Sequence, residues 1–253
     1  MSSHSKMLSL LDLFSIAEPV WSADALTQSL GYSRPTLYRY LRELVEAGLL
    51  QRVEVNRYAL GARVIALDYI VRHADPLLIA AIPVLHRLAS QTGCDAMMSC
   101  MIGDNVIDIH HERYGSEPVH SVDPRGRIRD RFKSGPPKVI FANLPKARQR
   151  SIYFAYAAEA ETAGIGKDWD EVRAYMHAIR KRGYYVSRGE MAPGLSSVTV
   201  PVFAPDKALI ATILIVARNE RFCELEPGFL VTLLRQAAAE ISRLLARSDS
   251  VTP

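Results

Sequence analysis

Gly31-Tyr32-Ser33-Arg34-Pro35-Thr36-Leu37-Tyr38-Arg39-Tyr40-Leu41-Arg42-Glu43-Leu44-Val45 is the stretch whose reading decides the fold. Gly31 permits a tight turn, since it has no Cβ to clash in a left-handed conformation. Ser33 suits a helix cap: its carbonyl and hydroxyl can accept from the first turn, where Pro35 has no N–H to waste. Leu37, Leu41, Leu44 and Val45 then fall at i, i+4, i+7 and i+8, one apolar stripe. The opposite face shows Arg34, Thr36, Tyr38, Arg39 and Arg42. Upstream, Ser22 caps a shorter helix expected to bury Ala25, Leu26 and Leu30. Downstream, Gly48 ends the second helix, and Leu49–Val53 can pair with Arg57–Leu60 as a two-stranded wing.

Cap, turn, stripe, basic face and wing in that order describe a winged helix-turn-helix. Such a helix fits the major groove with its N-terminal half near base edges. The candidate DNA-binding residues are therefore Ser33, Arg34, Thr36, Tyr38 and Arg39, with Arg42 and Arg57 better placed for phosphates. The alternative is a small helical subdomain with a solvated basic face. Charge favours the first: residues 31–63 hold six arginines against three glutamates and net +3, while the whole chain nets only +4.

The chain has 253 residues, 49% of them hydrophobic and 23% charged, ordinary for a globular protein with a sizeable core. Three cysteines (Cys94, Cys100, Cys223), no Cys-x-x-Cys and no signal peptide fit a reducing cytoplasm rather than a disulfide framework. No apolar run reaches the ~18 residues that a membrane span needs.

In chain order, residues 1–5 read as a disordered start and Met7–Phe14 as an apolar helix ended by Glu18-Pro19. Ala62–His73 has helical spacing and serves as a linker helix that pairs with a second copy or packs on its own domain. Pro83–Thr92 is a further helix. Ala96–Ile102 and Val106–Glu112 form a hairpin around Gly103-Asp104-Asn105, and Val119–Val122 a third strand. Arg125, Arg127, Arg129, Arg131 and Lys133 recur at every second position, which in an extended segment puts all five on one face. That face is solvated, lines a site for an acidic ligand, or meets a neighbouring subunit. Gly135–Ala142, Lys146–Ala157, Asp168–Gly183 and Pro227–Ala246 read as helices; Tyr184–Ser187, Val198–Phe203 and Leu209–Ala217 as strands. The expected architecture is α+β: a winged helix-turn-helix over residues 5–62, a linker helix over 63–75, and an α/β domain over 76–248 with a mixed sheet covered by helices.

Three stretches carry a family resemblance. The first is Ser33–Leu41 with Arg57-Tyr58-Ala59-Leu60-Gly61. The second is Ser134-Gly135-Pro136-Pro137-Lys138-Val139. The third, and most specific, is Ile179-Arg180-Lys181-Arg182-Gly183-Tyr184-Tyr185-Val186-Ser187 with Glu190, Gly194 and Pro201-Val202-Phe203. Over nearly its whole length the chain resembles the IclR family of transcriptional regulators, the second stretch being similar to that family's S-G-x-G-K-A. The resemblance implies a GAF-like C-terminal domain that binds a small organic effector, and homodimers or homotetramers on palindromic operators. It places the effector against Ser134, Gly135 and Pro136, Ser187, Ser197, Leu214 and Val216. Met98, Cys100 and His110 of the hairpin and Arg129 join these as candidate pocket residues.

The chain departs from the family at the helix start. Family members can hold an effector carboxylate on free N–H groups there, and Pro136 and Pro137 remove two such donors. A carboxylate would need Ser134, the Gly135 N–H or Arg129; otherwise the effector is not a simple carboxylate. Leu214 and Val216 suggest an apolar floor. An aromatic or other small organic acid is the expected effector.

No metal, cofactor or catalytic role is expected. Cys100, His110, His111 and Cys223 are possible ligands, but adjacent strand histidines point to opposite faces. No Gly-x-Ser-x-Gly, P-loop or dinucleotide fingerprint occurs. The reading is a cytoplasmic, ligand-responsive regulator with partners in double-stranded operator DNA, a small effector and its own copy, and with no membrane. The alternative is a small-molecule sensor or GAF-like enzyme without operator binding.

Overall fold

The computed structural model describes residues 2–115 and 124–249; the expected strand at Val119–Val122 and the tail beyond 249 lie outside them. The described chain divides into two compact units, Met1–Asp75 and Pro76–Pro253.

The first unit is built on the helix-turn-helix. Helix α1 (Ser3–Leu8) begins within the expected disordered start, because the Ser2 hydroxyl accepts the Ser5 N–H at 3.1 Å and caps it. A short 3-10 turn (Ser9–Leu13) follows, with Leu10 fully buried. Strand β1 (Val20–Ser22) leads into α2 (Ala23–Leu30), whose N-cap Ser22 accepts from Ala25 N at 3.1 Å. Ala23 and Leu26 are the buried residues of α2, whereas Ala25 and Leu30 are only partly covered. Gly31 turns the chain at φ +66° into α3 (Arg34–Glu46).

The α3 stripe packs as its spacing requires: Leu37, Leu41 and Leu44 are buried with Leu10, Leu26 and Leu50 in one cluster. Tyr40 joins that cluster and bonds Ser3 Oγ at 2.9 Å. The Ser33 carbonyl accepts from Leu37 N at 3.0 Å, but its hydroxyl donates to Thr36 Oγ1 rather than capping the backbone. The wing, β2 (Leu50–Glu54) and β3 (Arg57–Leu60), is joined by β1 on its other side, giving an antiparallel sheet in the order β1-β3-β2. The two-stranded expectation lacked that strand because Val20-Trp21-Ser22 is too short to read by periodicity. Helix α4 (Arg63–Ala74) closes the unit, and none of its residues is buried within it.

In the second unit, α5 (Pro76–Thr92) runs through Pro83, one turn and more upstream of its expected start. Pro83 faces solvent, so the carbonyl it leaves unpaired one turn back can be hydrated instead. Strands β4 (Asp95–Ile102) and β5 (Asn105–Glu112) form the hairpin, followed by β6 (Ile128–Arg129) and α6 (Gly135–Asn143). The expected Lys146–Ala157 helix breaks at Tyr156 into α7 (Lys146–Ala155) and α8 (Ala157–Thr162). Helix α9 (Trp169–Arg182) is capped by Asp168 and buries Val172, Met176 and Ile179. Strands β7 (Tyr185–Arg188), β8 (Leu195–Phe203) and β9 (Leu209–Arg218) follow, then α10 (Asn219–Glu224) and α11 (Pro227–Asp249).

The sheet order is β6-β5-β4-β9-β8-β7, and every pairing is antiparallel, not mixed as expected. One face, with Ala96, Met98, Val198, Val200, Ile213 and Ile215, packs on α5 and α11. The helices α6, α7 and α9 bury their own cluster around Phe132, Phe141, Ile152 and Met176. Among the described residues no helix is long and apolar enough to cross a membrane.

Truncating Leu41, 1% exposed at the centre of the first unit's core, is expected to lower that unit's stability by about 2–5 kcal/mol. Urea unfolding of Leu41→Ala followed by circular dichroism checks this.

Candidate DNA-reading head and effector pocket

On the reading head, Arg34, Tyr38, Arg39 and Arg42 are exposed on α3, and Thr36 is partly covered. Several are engaged locally. Arg34 pairs with Asp24 at 3.0 Å, Arg57 with Glu54 at 3.2 Å and Arg42 with Glu46 at 3.9 Å, all on exposed side chains. Such pairs contribute about 0–1 kcal/mol, so a phosphate can displace them. Arg39 lies over the Tyr40 ring at 5.4 Å. The Tyr38 hydroxyl donates to Asn56 Oδ1 at 2.9 Å, which ties the reading helix to the wing tip. Asn56 escaped the sequence reading; it holds φ +62° in a tight hairpin turn, a conformation asparagine tolerates better than most residues. The dipeptide Val55-Asn56 between two short strands was the available signal.

The candidate effector residues divide between the two faces of the sheet, one of which packs on α5 and α11. In an antiparallel ladder directly opposed residues share a face. Ser187 opposes Ser197, Ser197 opposes Val216, Thr199 opposes Leu214, and Leu214 opposes Met97. Met97, Leu214 and Val216 form an apolar floor with Met191 packed against them. Thus Ser187, Ser197, Leu214 and Val216 share one surface.

Met98, Cys100 and His110 do not. Met98 and Cys100 belong to the cluster against α5 and α11. His110 opposes Met98 and meets Glu112 at 3.3 Å; burial lowers its pKa, with Glu112 opposing. The physical reason is the two-residue strand period, in which one step reverses the face. A bulge between Met98 and Ser99 complicates it further: Met98 opposes His110 but Ser99 opposes Asp108. Asp108 and His110 therefore point to opposite faces despite their even spacing.

Asp108 is the residue that sequence reasoning missed. Its carboxylate is wholly inaccessible and accepts from Ser99 Oγ at 2.7 Å, Arg129 Nε at 2.6 Å and Arg127 Nη2 at 3.0 Å. The alternating arginines are thus neither a solvated face nor one surface. Arg127 and Arg129 converge on Asp108, while Arg131 lies 3.4 Å above the Tyr156 ring and pairs with Glu159 at 2.8 Å. One carboxylate against two guanidiniums leaves this cluster with a positive charge to spare. Burial lowers the Arg129 pKa and Asp108 opposes that shift; an arginine stays protonated regardless. Arg129 Nη1 donates to Ser134 Oγ at 3.2 Å, whereas its buried Nη2 has no hydrogen-bond partner among the described residues. A cavity of about 150 Å³ opens beside Arg127, Arg129, Ser134 and Met191.

At the start of α6, Ser134 holds φ +72° and its N–H donates to Glu190 Oε2 at 3.0 Å. Lys138, buried within α6, donates to the same oxygen at 2.6 Å. A carboxylate of the protein itself therefore sits at the helix start, beside Pro136 and Pro137, which carry no N–H. Gly135 is required: a Cβ there would overlap Thr199 Oγ1. Thr199 Oγ1 is also buried and unpartnered among the described residues. His111 bonds Asp95 at 2.8 Å, and no cluster able to hold a metal ion occurs among the described residues.

A helix-turn-helix with a wing, followed by a second unit with an antiparallel sheet and a cavity beside Arg129, has the build of a DNA-binding regulator with an effector domain. Sequence comparison specifies the class. The family description "Bacterial transcriptional regulator IclR C-terminal" matches residues 70–243, and "IclR helix-turn-helix domain" matches residues 3–54. The chain belongs to the IclR family of transcriptional regulators. It is 25% identical over 243 residues to the HTH-type transcriptional regulator KipR of Bacillus subtilis, covering 94% of each chain. It is 25% identical over 205 residues to the Pca regulon regulatory protein of Pseudomonas putida, covering 79% of this chain and 69% of that one. The fold matches an IclR transcriptional regulator from Silicibacter at TM-score 0.81, with 24% identity and 96% of both chains covered. It also matches an IclR homologue from Microbacterium hydrocarbonoxydans complexed with 4-hydroxybenzoate at TM-score 0.71, with 17% identity over 97% of this chain and 100% of that one.

Replacing Asp108 by asparagine leaves two guanidiniums without their counter-charge. Asp108→Asn is expected to lose about 3–5 kcal/mol of stability, measurable as a lowered midpoint in thermal unfolding.

Proposed function

We propose that this regulator reads a palindromic operator as a homodimer or homotetramer in the cytoplasm, and that its effector is a small organic acid with an aromatic ring. The observation that carries the acid is the buried Nη2 of Arg129, which has no hydrogen-bond partner among the described residues. A buried guanidinium N–H without an acceptor is costly, and a ligand carboxylate at that position relieves it. The extra positive charge around Asp108 favours the same ligand. Met191 and Ile128, which line the cavity beside Arg129, suit its ring. The Microbacterium homologue's 4-hydroxybenzoate belongs to this class. Anion binding at the helix start is not part of the reading, since Glu190 and the two prolines occupy it.

On the reading head, Arg34, Thr36, Tyr38 and Arg39 address base edges and Arg42 and Arg57 address phosphates. The effector shifts operator affinity only as far as it binds the DNA-bound and free states differently. Self-association is supported by α4, on which Ile65, Tyr69 and Ile70 are 74%, 64% and 58% exposed. Pairing two such helices would cover them.

Thermal unfolding against aromatic and aliphatic carboxylates, with the matching amides as controls, tests the effector. A carboxylate at ~100 times its Kd should stabilise the fold by about 2.7 kcal/mol, and Arg129→Met should abolish this. Hits confined to amides would overturn the acid. For DNA, Arg39→Ala should cost roughly 1–3 kcal/mol and relax specificity at one base pair, whereas Arg57→Ala should weaken all sequences alike and flatten the salt slope. Mobility shifts across operator variants and salt concentrations separate the two. Sedimentation of Ile65→Glu/Ile70→Glu should show a smaller species than the parent.

A further inference from the structure

A larger cavity, about 890 Å³, lies on the other side of the 130–133 segment: Phe132 borders it and Arg129 does not. Its volume is that of an ordinary small-molecule site. Phe132, Tyr175 and Tyr185 border it, together with the small residues Ala158, Ala163 and Gly164. We propose that this cavity is a second ligand site, separate from the pocket at Arg129, and that it takes a neutral hydroxylated aromatic molecule.

The ligand class follows from the hydrogen bonds at its polar end. The Tyr185 hydroxyl donates its one proton to Glu190 Oε1 at 2.6 Å and accepts from Lys138 Nζ at 2.9 Å. The Tyr175 hydroxyl lies 3.0 Å from that of Tyr185. Since the Tyr185 proton is already used, Tyr175 is the donor in this pair, and its own oxygen is left able to accept. Lys138 spends two of its three N–H groups on Tyr185 and Glu190; the third has no partner among the described residues. At that end the cavity therefore presents one donor and one acceptor side by side, among aromatic rings; the other charged residues lining it are paired, Arg131 with Glu159 and Lys133 with Asp130. Burial first, and then the bond to Glu190, push the Tyr185 pKa upward, so its proton stays in place.

A ligand hydroxyl satisfies both groups, accepting from Lys138 and donating to Tyr175. A carboxylate has no proton for Tyr175 and would face Glu190, whose oxygen is already 2.6 Å from Lys138. A wholly apolar ring would leave the Lys138 N–H buried and unmet. The site also reaches the first pocket, because the Glu190 oxygen that holds Lys138 holds the Ser134 N–H as well.

The test titrates the full chain with 2-naphthol, following its fluorescence, beside 2-methoxynaphthalene, which keeps the acceptor and lacks the donor. The expected result is saturable binding of 2-naphthol, about tenfold weaker binding of the ether, and about tenfold weaker 2-naphthol binding to Tyr175→Phe, one lost hydrogen bond in each case. In Tyr175→Phe the two compounds should bind alike. Ala158→Trp, at an exposed position of α8, should fill the cavity and abolish binding, whereas excess benzoate, a carboxylate for the pocket at Arg129, should not displace 2-naphthol. Equal affinity of the two compounds for the parent chain overturns the proposal. So does undiminished binding to Tyr175→Phe or Ala158→Trp, displacement by benzoate, or failure to saturate.

Discussion

Asp108 has no access to water and carries two guanidiniums, so the surrounding structure must keep all three groups together. Removing either kind of partner strands a buried charge, which costs several kcal/mol. The cluster joins β5, which supplies Asp108, to the segment that supplies Arg127 and Arg129, and through Ser134 it reaches the start of α6. Glu190 makes a second join, from the loop after β7 to Ser134 and Lys138. Between them these two carboxylates tie the pocket-facing side of the sheet to α6.

That arrangement explains why the pocket side differs from the side against α5 and α11. There, leucines, valines and isoleucines from both layers interdigitate and exclude ligand as well as water. Here the sheet face carries Ser99, Ser187, Ser197, Thr199 and Thr212, buried small polar side chains among Met97, Leu214 and Val216. The cavities lie beside this face, at Arg129 and at Tyr185, and the polar atoms that line them select what a guest must offer. The same logic distinguishes the two cavities: a guanidinium with spare charge at one, a balanced lysine–glutamate–tyrosine set at the other.

The reading head follows a different principle. Its core is built on leucines around α3, and its candidate DNA-contacting arginines remain in solvent, Arg34 and Arg57 in exchangeable ion pairs. Local stiffness comes instead from the Tyr38–Asn56 bond between helix and wing. A head that meets a polyanion gains by keeping its arginines loosely engaged, since weak surface pairs are readily replaced by phosphates.

Much of this was readable in the chain. The α3 stripe, the glycine turn, the Asp168 cap and the Gly103-Asp104 hairpin are local signals, each set by a few neighbouring residues, and they specify elements and the helix-turn-helix outright. The resemblance located the Ser134 helix, Ser187, Ser197, Leu214 and Val216. What the sequence could not determine is which way the hairpin faces. The bulge at Met98/Ser99 shifts the pairing by one residue, so that Asp108 turns to the face of Ser99 while His110, two positions on, stays on the face of Met98. Nor could it show that an alternating row of arginines is divided among Asp108 and Glu159, because those carboxylates lie about twenty to thirty positions away along the chain. Elements depend on short-range stereochemistry, which the order of residues contains; strand face and charge pairing depend on long-range register, which only the folded chain decides.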